Sequence, residues 1–444
     1  MTKKHTSNLV VHLQEAITYE TICPTEDQPR NEEAFEAFLA FLERTFKRVH
    51  RMCKVVPINR FSRVYYLKGK EEGPPILLLG HYDVVPVEEA TRDAWSVAPF
   101  SGTLQDGYVY GRGTLDDKNQ VLVILEVLEE VLAKGHLPRR DVYVALGFDE
   151  ETGGELGAKA MAAYFEKEGI TFDFVLDEGG AVMEEAMEGL KKPLALIGVA
   201  EKGSTMIRLK AKGEGGHSSM PPQDGALLTL SRAIMNLSYR PMKPKITPPV
   251  EAMFKGLAPY MGMKGILLKN IGPLFSYLTS TLEKSTTMNS LIRTTLTPTY
   301  MRGGEAYNVL PQEARAVINA RILPGETTGD VLKHLEEING GLHVQYEFLE
   351  KEEASTISPH EGPAWELLEK CIFKVFPEAK VLPYLMAGGT DSRKYEGLSD
   401  QIYRFSAVKL TKEDLQRIHG TDERISIENL EAMKGFYETL LQNL

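Results

Sequence analysis

Residues 74–86 read PPILLLGHYDVVP, and their pattern decides the fold class. Ile76 to Leu79 is an unbroken aliphatic run, as expected of a strand buried on both faces. Prolines bound it on both sides. Outward from it, RVYYLKG (63–69), DVYVALGF (141–148) and FDFVLDEGG (172–180) also predict strands. Helix-like spacing fills residues 8–20, 31–54, 116–135 and roughly 155–168, with GTLQDGYVYGRG as turn signals before the third helix. Strand and helix alternating in this order predict an α/β domain with a mostly parallel central sheet flanked by helices.

The texture changes near residue 200. KGSTMIRLKAKG alternates as a half-buried strand, and PPQDGALLTLSRAIMNL predicts a helix opened by proline. Strands near 290–300, 313–322 and 342–350 and a short helix, DVLKHLEEI, complete a smaller α+β domain. The expected organisation is 1–199 as the first part of the larger domain, 200–350 as an inserted lid, and 351–444 as the return. Residues 241–288, with MFKGLAPYMGMKGILL, depart from the repeat. They predict extra helix on the insert or at a subunit interface, or an apolar wall for an acyl or bulky substrate.

The chain has 444 residues, long enough for two domains. A formal charge of −11 argues against general nucleic-acid binding. No apolar run approaches a membrane span, and MTKKHTSNLV lacks the apolar segment of a secretion signal. Cys23, Cys53 and Cys371 give neither a disulfide framework nor metal-ligand spacing. These features lead us to expect a cytoplasmic enzyme.

Chemistry-bearing residues follow the strands. His81 and Asp83 come after the aliphatic run, where a carboxylate two residues on can orient the imidazole through its second nitrogen. Asp116 and Asp117 in GRGTLDDK precede a helix, where either can meet backbone donors or bridge two cations. Glu150 and Glu151 in DEETGG can divide the labour between metal ligand and proton carrier. Asp177 and Glu178 repeat the arrangement. Late in the chain, HGTDERI offers His419, and GGTDSRKY offers Gly388, Thr390, Asp391 and Arg393. Nitrogen and oxygen donors without cysteine suit catalytic Zn²⁺, with Mn²⁺ or Co²⁺ as alternatives. GRGTLDD is not a GxGxxG turn, so the dinucleotide reading of the α/β order fails.

Taken together, GHYDVVP, GRGTLDDK, DEETGG, LDEGG, GEGGHSSMPP and GGTDSR…IHGTDE resemble the M20 family of dinuclear zinc peptidases and amidohydrolases, over roughly residues 76–425. Within it the chain looks most similar to the carboxypeptidase S and N-acyl-amino-acid hydrolase branch. The resemblance implies two Zn²⁺ per subunit, with His81 on one, Asp116 bridging, Glu151 and His419 on the second. Glu178 or Asp177 completes the first, Glu178 being favoured because it stands before glycine as in aminoacylase-like sequences. It further implies Asp83 as orienter, Glu150 as general acid/base, and a cis peptide at Asp116–Asp117. His217 would reach a partner's active site in a homodimer formed through the lid. Arg321 would meet a substrate carboxylate, with Asn308, Gly389, Thr390 and Arg393 as further contacts. The implied reaction is hydrolysis of an amide next to a carboxylate-bearing residue, as a carboxypeptidase on short peptides, an N-acyl-amino-acid hydrolase or a dipeptidase. A noncatalytic metal-binding protein is the alternative from another class.

Overall fold

A computed structural model describes residues 7–25, 29–184, 190 and 192–444. The chain divides into two compact units: Met1–Val199 with Ser358–Pro383 and Thr390–Leu444, and Ala200–Ile357 with Tyr384–Gly389.

In the first unit the strand Ile76–His81 lies between Val142–Gly147 and Val175–Asp177, parallel to both, and Ile402–Arg404 continues the parallel run beyond Val175–Asp177. Antiparallel strands Ser62–Leu67 and Lys54–Ile58 finish one edge. The aliphatic run meets the expectation of two-faced burial residue by residue. Ile76 and Leu78 join a core with the helices Asn8–Ile17, Glu32–Thr45, Lys118–Ala133, Pro363–Val375 and Ile427–Asn443. Leu77 and Leu79 turn the other way, toward Met161 and Phe165 of the helix Ala158–Glu168. The helix Lys118–Ala133 is buried at every residue from Lys118 to Leu128, polar Lys118, Asn119, Gln120 and Glu126 included, and stops where Gly135 takes a left-handed φ of 69°.

The second unit holds an antiparallel sheet in the order Thr295–Gly303, Glu313–Ile322, Gly203–Lys212, Val344–Glu352. One face is apolar: Ile207, Leu209, Ala316 and Ile318 pack with Leu230 and Ala233 of the helix Ala226–Tyr239 and with Val331 and Leu335 of Thr328–Ile338. A reciprocal box between Thr327 and Asp330 caps the latter helix. Residues 248–291 hold four α-helices, Pro248–Leu257, Met263–Lys269, Ile271–Leu282 and Thr286–Leu291, and a short 3-10 turn at Ala258–Tyr260. The first is anchored by buried Val250, Met253 and Phe254, whereas Met263, Ile266 and Tyr277 are exposed. Among the described residues no helix is long and apolar enough to cross a membrane.

The structure departs from the sequence reading locally. The helix expected to open at the prolines begins only at Ala226, because Gly225 is still extended as its N-cap. Lys54, expected as the last residue of a helix, instead opens the strand Lys54–Ile58, and Pro57 is tolerated because this strand is the sheet's edge. The turn-rich segment 102–113 contains a hairpin, Leu104–Gln105 with Tyr108–Tyr110, turning at Asp106 and Gly107, both left-handed.

Tyr82, between His81 and Asp83, is buried, stacks on Phe38 at 4.7 Å and donates to Phe61 O at 2.8 Å. Phe38→Ala is therefore expected to cost about 3–5 kcal/mol by opening a cavity beneath this loop. Urea unfolding followed by circular dichroism checks it; an unchanged midpoint would show that the stack carries no weight.

Candidate metal centre

His81 ends the central strand with its side chain 2% exposed. Its Nε2 lies 2.9 Å from Asp116 Oδ1 and 3.5 Å from Glu178 Oε1. On the far side of the ring, Nδ1 lies 3.3 Å from Asp83 Oδ1 and 3.1 Å from Asp83 O. The Asp83 carboxylate also accepts from the backbone N–H of Glu150 at 3.2 Å and of Glu151 at 3.1 Å. One buried carboxylate thus ties the loop after Ile76–His81 to the loop after Val142–Gly147.

Asp116 turns its second oxygen, Oδ2, to His419 Nε2 at 3.0 Å, and Glu151 Oε1 lies 3.2 Å from the same nitrogen. Two groups result, His81–Asp116–Glu178 and Asp116–Glu151–His419, each with its possible ligand atoms within 4.8 Å of one another. Asp116 belongs to both. The Asp116–Asp117 peptide is cis. Asp117 faces elsewhere, its Oδ2 accepting from His81 N at 3.4 Å. Of the adjacent acids, Asp177 is occupied by backbone: its oxygens accept from Glu178 N and Ser392 N, both at 2.9 Å. Glu178 is the one that faces His81.

So many acids in one place perturb each other. Hydrogen bonds to Asp116 and Glu151 raise His419 to about 10. Burial, with Asp116 alongside, raises Glu178 to about 8. Burial also raises the Glu150 and Glu151 carboxyls. Asp116 goes the other way: burial disfavours its charge, but hydrogen bonds from His419 and His81 outweigh that and hold it below the usual range. Glu151 Oε1 is buried and meets no donor other than the His419 imidazole, 3.2 Å away. A carboxylate oxygen desolvated with no backbone or hydroxyl donor suits a cation ligand. The donor set of imidazole nitrogens and carboxylate oxygens fits divalent metal.

Thr390 Oγ1 contacts Ser392 Oγ at 2.7 Å, and Arg393 is half-buried on the same turn. His217, Asn308, Arg321 and Gly389 belong to the second unit. There His217 is exposed, pairs in register with Val309 beside Asn308, and its Nδ1 lies 2.7 Å from Ser219 Oγ. Arg321 stands near Lys202, whose ammonium burial and that neighbouring charge lower to about 8. Lys202 drew no notice in the sequence. Neither did Arg112 and Glu423, a buried pair at 2.6 Å that flanks Asp116 and His419. Their signal was faint, since each lies inside a motif read for its neighbours.

The profile of Peptidase family M20/M25/M40 matches residues 77–443. Probable carboxypeptidase S-like 2 of Dictyostelium discoideum is 36% identical over 446 residues, spanning 98% of this chain and 85% of that protein. The N-fatty-acyl-amino acid synthase/hydrolase of Xenopus tropicalis is 36% identical over 450 residues, spanning 100% and 87%. Among solved structures, an M20 family metallo-carboxypeptidase from Sulfolobus solfataricus superposes with a TM-score of 0.73 at 17% identity over 99% of both chains. The resemblance read from the sequence motifs therefore holds across the whole fold, and the chain belongs to peptidase family M20/M25/M40, a family of metal-dependent hydrolases.

Proposed function

We propose that this enzyme hydrolyses an amide bond next to a residue with a free carboxylate, acting as a carboxypeptidase on short peptides. The observation that carries the reading is Asp116, which offers one oxygen to each of two ligand groups while Glu150 stands beside them in neither. His81, Asp116 and Glu178 would hold one cation, and Asp116, Glu151 and His419 the other. Zinc suits these donors best, with Co²⁺ or Mn²⁺ as substitutes. When bound, such a pair lowers the pKa of a water and polarises a carbonyl oxygen.

The chain's own groups do the rest. Asp83 fixes the His81 ring and, through two amides, the Glu150–Glu151 turn. Glu150 takes a proton from the attacking water and returns it to the leaving nitrogen as the C–N bond breaks, giving a carboxylate and an amine. A carboxyl that burial lifts above the ordinary glutamate range is better able to hold that proton between the two transfers. Arg321, with Lys202 adding positive charge nearby, would meet the substrate carboxylate through paired N–H donors. Asn308, Gly389, Thr390 and Arg393 would supply further donors. The exposed His217 would act on the developing oxyanion of a partner subunit in a homodimer formed through the second unit.

A second reading, N-acyl-amino-acid hydrolysis, is favoured by the exposed Met263, Ile266 and Tyr277 of the helical insertion and by the 36% identity to the Xenopus tropicalis protein. Turnover of amine-blocked peptides beside N-acyl amino acids, with zinc-loaded protein and mass-spectrometric detection, separates the two. Release of a C-terminal amino acid from the peptides supports the first reading; turnover confined to acyl amino acids moves the function to the second.

Glu150→Gln should keep its zinc and lose about 10²–10⁴-fold in kcat. Full activity with zinc bound would remove Glu150 from the proton path. Zinc binding should also displace protons, because His419 at about 10 and Glu178 at about 8 both hold protons at pH 7. Affinity is expected to rise from pH 6 to pH 8, with proton release visible by calorimetry in buffers of different ionisation enthalpy. Weaker binding at higher pH would contradict this. At zinc about 100-fold above the Kd of each site, stability should rise by ~2.7 kcal/mol per site over chelator-treated protein, roughly twice that for two occupied sites.

A further inference from the structure

We infer that the buried Arg112–Glu423 pair is a positioning device that sets the affinity of the His419-containing metal group separately from that of the His81-containing group. The inference rests on the two-group reading above. Arg112 is 3% exposed and Glu423 is 0% exposed. Arg112 Nη1 meets Glu423 Oε2 at 2.6 Å, and its other arm, Nη2, donates to His419 O at 3.1 Å. Glu423 Oε1 accepts from Gly113 N at 3.0 Å and Leu115 N at 2.8 Å, and Gly111 N donates to Glu423 O at 2.8 Å. The two side chains therefore stitch the loop that delivers Asp116 to the loop that delivers His419. The Trp95 ring, 5.6 Å from the guanidinium, covers the pair.

The second loop needs such a clamp. His419 and Asp422 both have left-handed backbones, at φ 59° and 55°, which non-glycine residues adopt at a cost. Ser96 holds Asp422 through N–H and Oγ at 2.7 and 2.6 Å, and the backbone of His419 is held at its carbonyl by Arg112. His81 and Glu178 differ. One ends the strand Ile76–His81 and the other directly follows Val175–Asp177, so the central sheet sets their positions. Loss of the stitch would loosen His419 and leave those two in place.

The test is a zinc titration of the chelator-stripped full-length protein, followed by calorimetry, with His419→Ala identifying the class of sites that contains His419. Glu423→Gln should weaken that class by about 10–100-fold and weaken the other class, which shares Asp116 but not His419, clearly less. Because Glu423→Gln strands a buried guanidinium and risks the fold, Arg112→Lys is measured beside it. A lysine keeps the charge but cannot fork to both Glu423 and His419 O, so the same class-selective loss is expected. Equal weakening of both classes, or none, in folded Arg112→Lys would overturn the inference while the two-group reading stands. Wild-type protein that binds fewer than two zinc ions would overturn that reading, and this inference with it.

Discussion

Negative charge packed into a partly desolvated hollow is the constraint around which the first unit is organised. Asp83, Asp116, Asp117, Glu150, Glu151, Asp177, Glu178 and Asp391 crowd one end of the sheet, and burial alone would drive most of them neutral. The fold answers by giving the supporting acids backbone donors. Asp83 takes the amides of Glu150 and Glu151, Asp177 those of Glu178 and Ser392, and Asp117 that of His81. Asp116, Glu151 and Glu178 are left facing two imidazoles. Two imidazolium charges offset the acids only in part, and divalent cations are the natural complement.

Parallel strands make this concentration possible. In the run Val142–Gly147, Ile76–His81, Val175–Asp177 all carboxyl ends lie on one edge, so Glu150, His81 and Glu178 emerge side by side. Such a sheet must be covered on both faces. The alternation of Ile76 and Leu78 against Leu77 and Leu79 shows this cover at single-residue level. Gly147 and Gly154 add room, since a Cβ on either would meet a carboxylate oxygen of Asp391 at 2.8 or 2.2 Å. The second unit is built by the other rule, an antiparallel sheet with one apolar face, which suits a platform presenting His217, Asn308 and Arg321 from its strands and loops.

The legible part of this chain was what repeats or runs. Four consecutive aliphatic residues, the aliphatic-rich helix before Gly135 and the acids placed just after strands were visible because each pattern has one physical cause. Lys54–Ile58 was hidden by Pro57, which argues against strand except at an edge, and Ile402–Arg404 is three residues, too short for any period to show. Asp177 and Glu178 could not be separated by sequence position alone, because adjacent residues at a strand end share their context and differ only in direction. Arg112 and Glu423 are ordinary residue types far apart in the chain; their pairing exists only once the fold closes. The roles proposed for His217 and Arg321 rest on resemblance, and nothing in their local pattern would have announced them.

The central claim is that Asp116 bridges two cations between His81 and His419. Anomalous diffraction at the zinc edge from zinc-loaded crystals tests it most directly. Two peaks about 3.5–4 Å apart, one on each side of the Asp116 carboxylate, are the predicted result. A single peak, or two peaks that do not share Asp116, would contradict it.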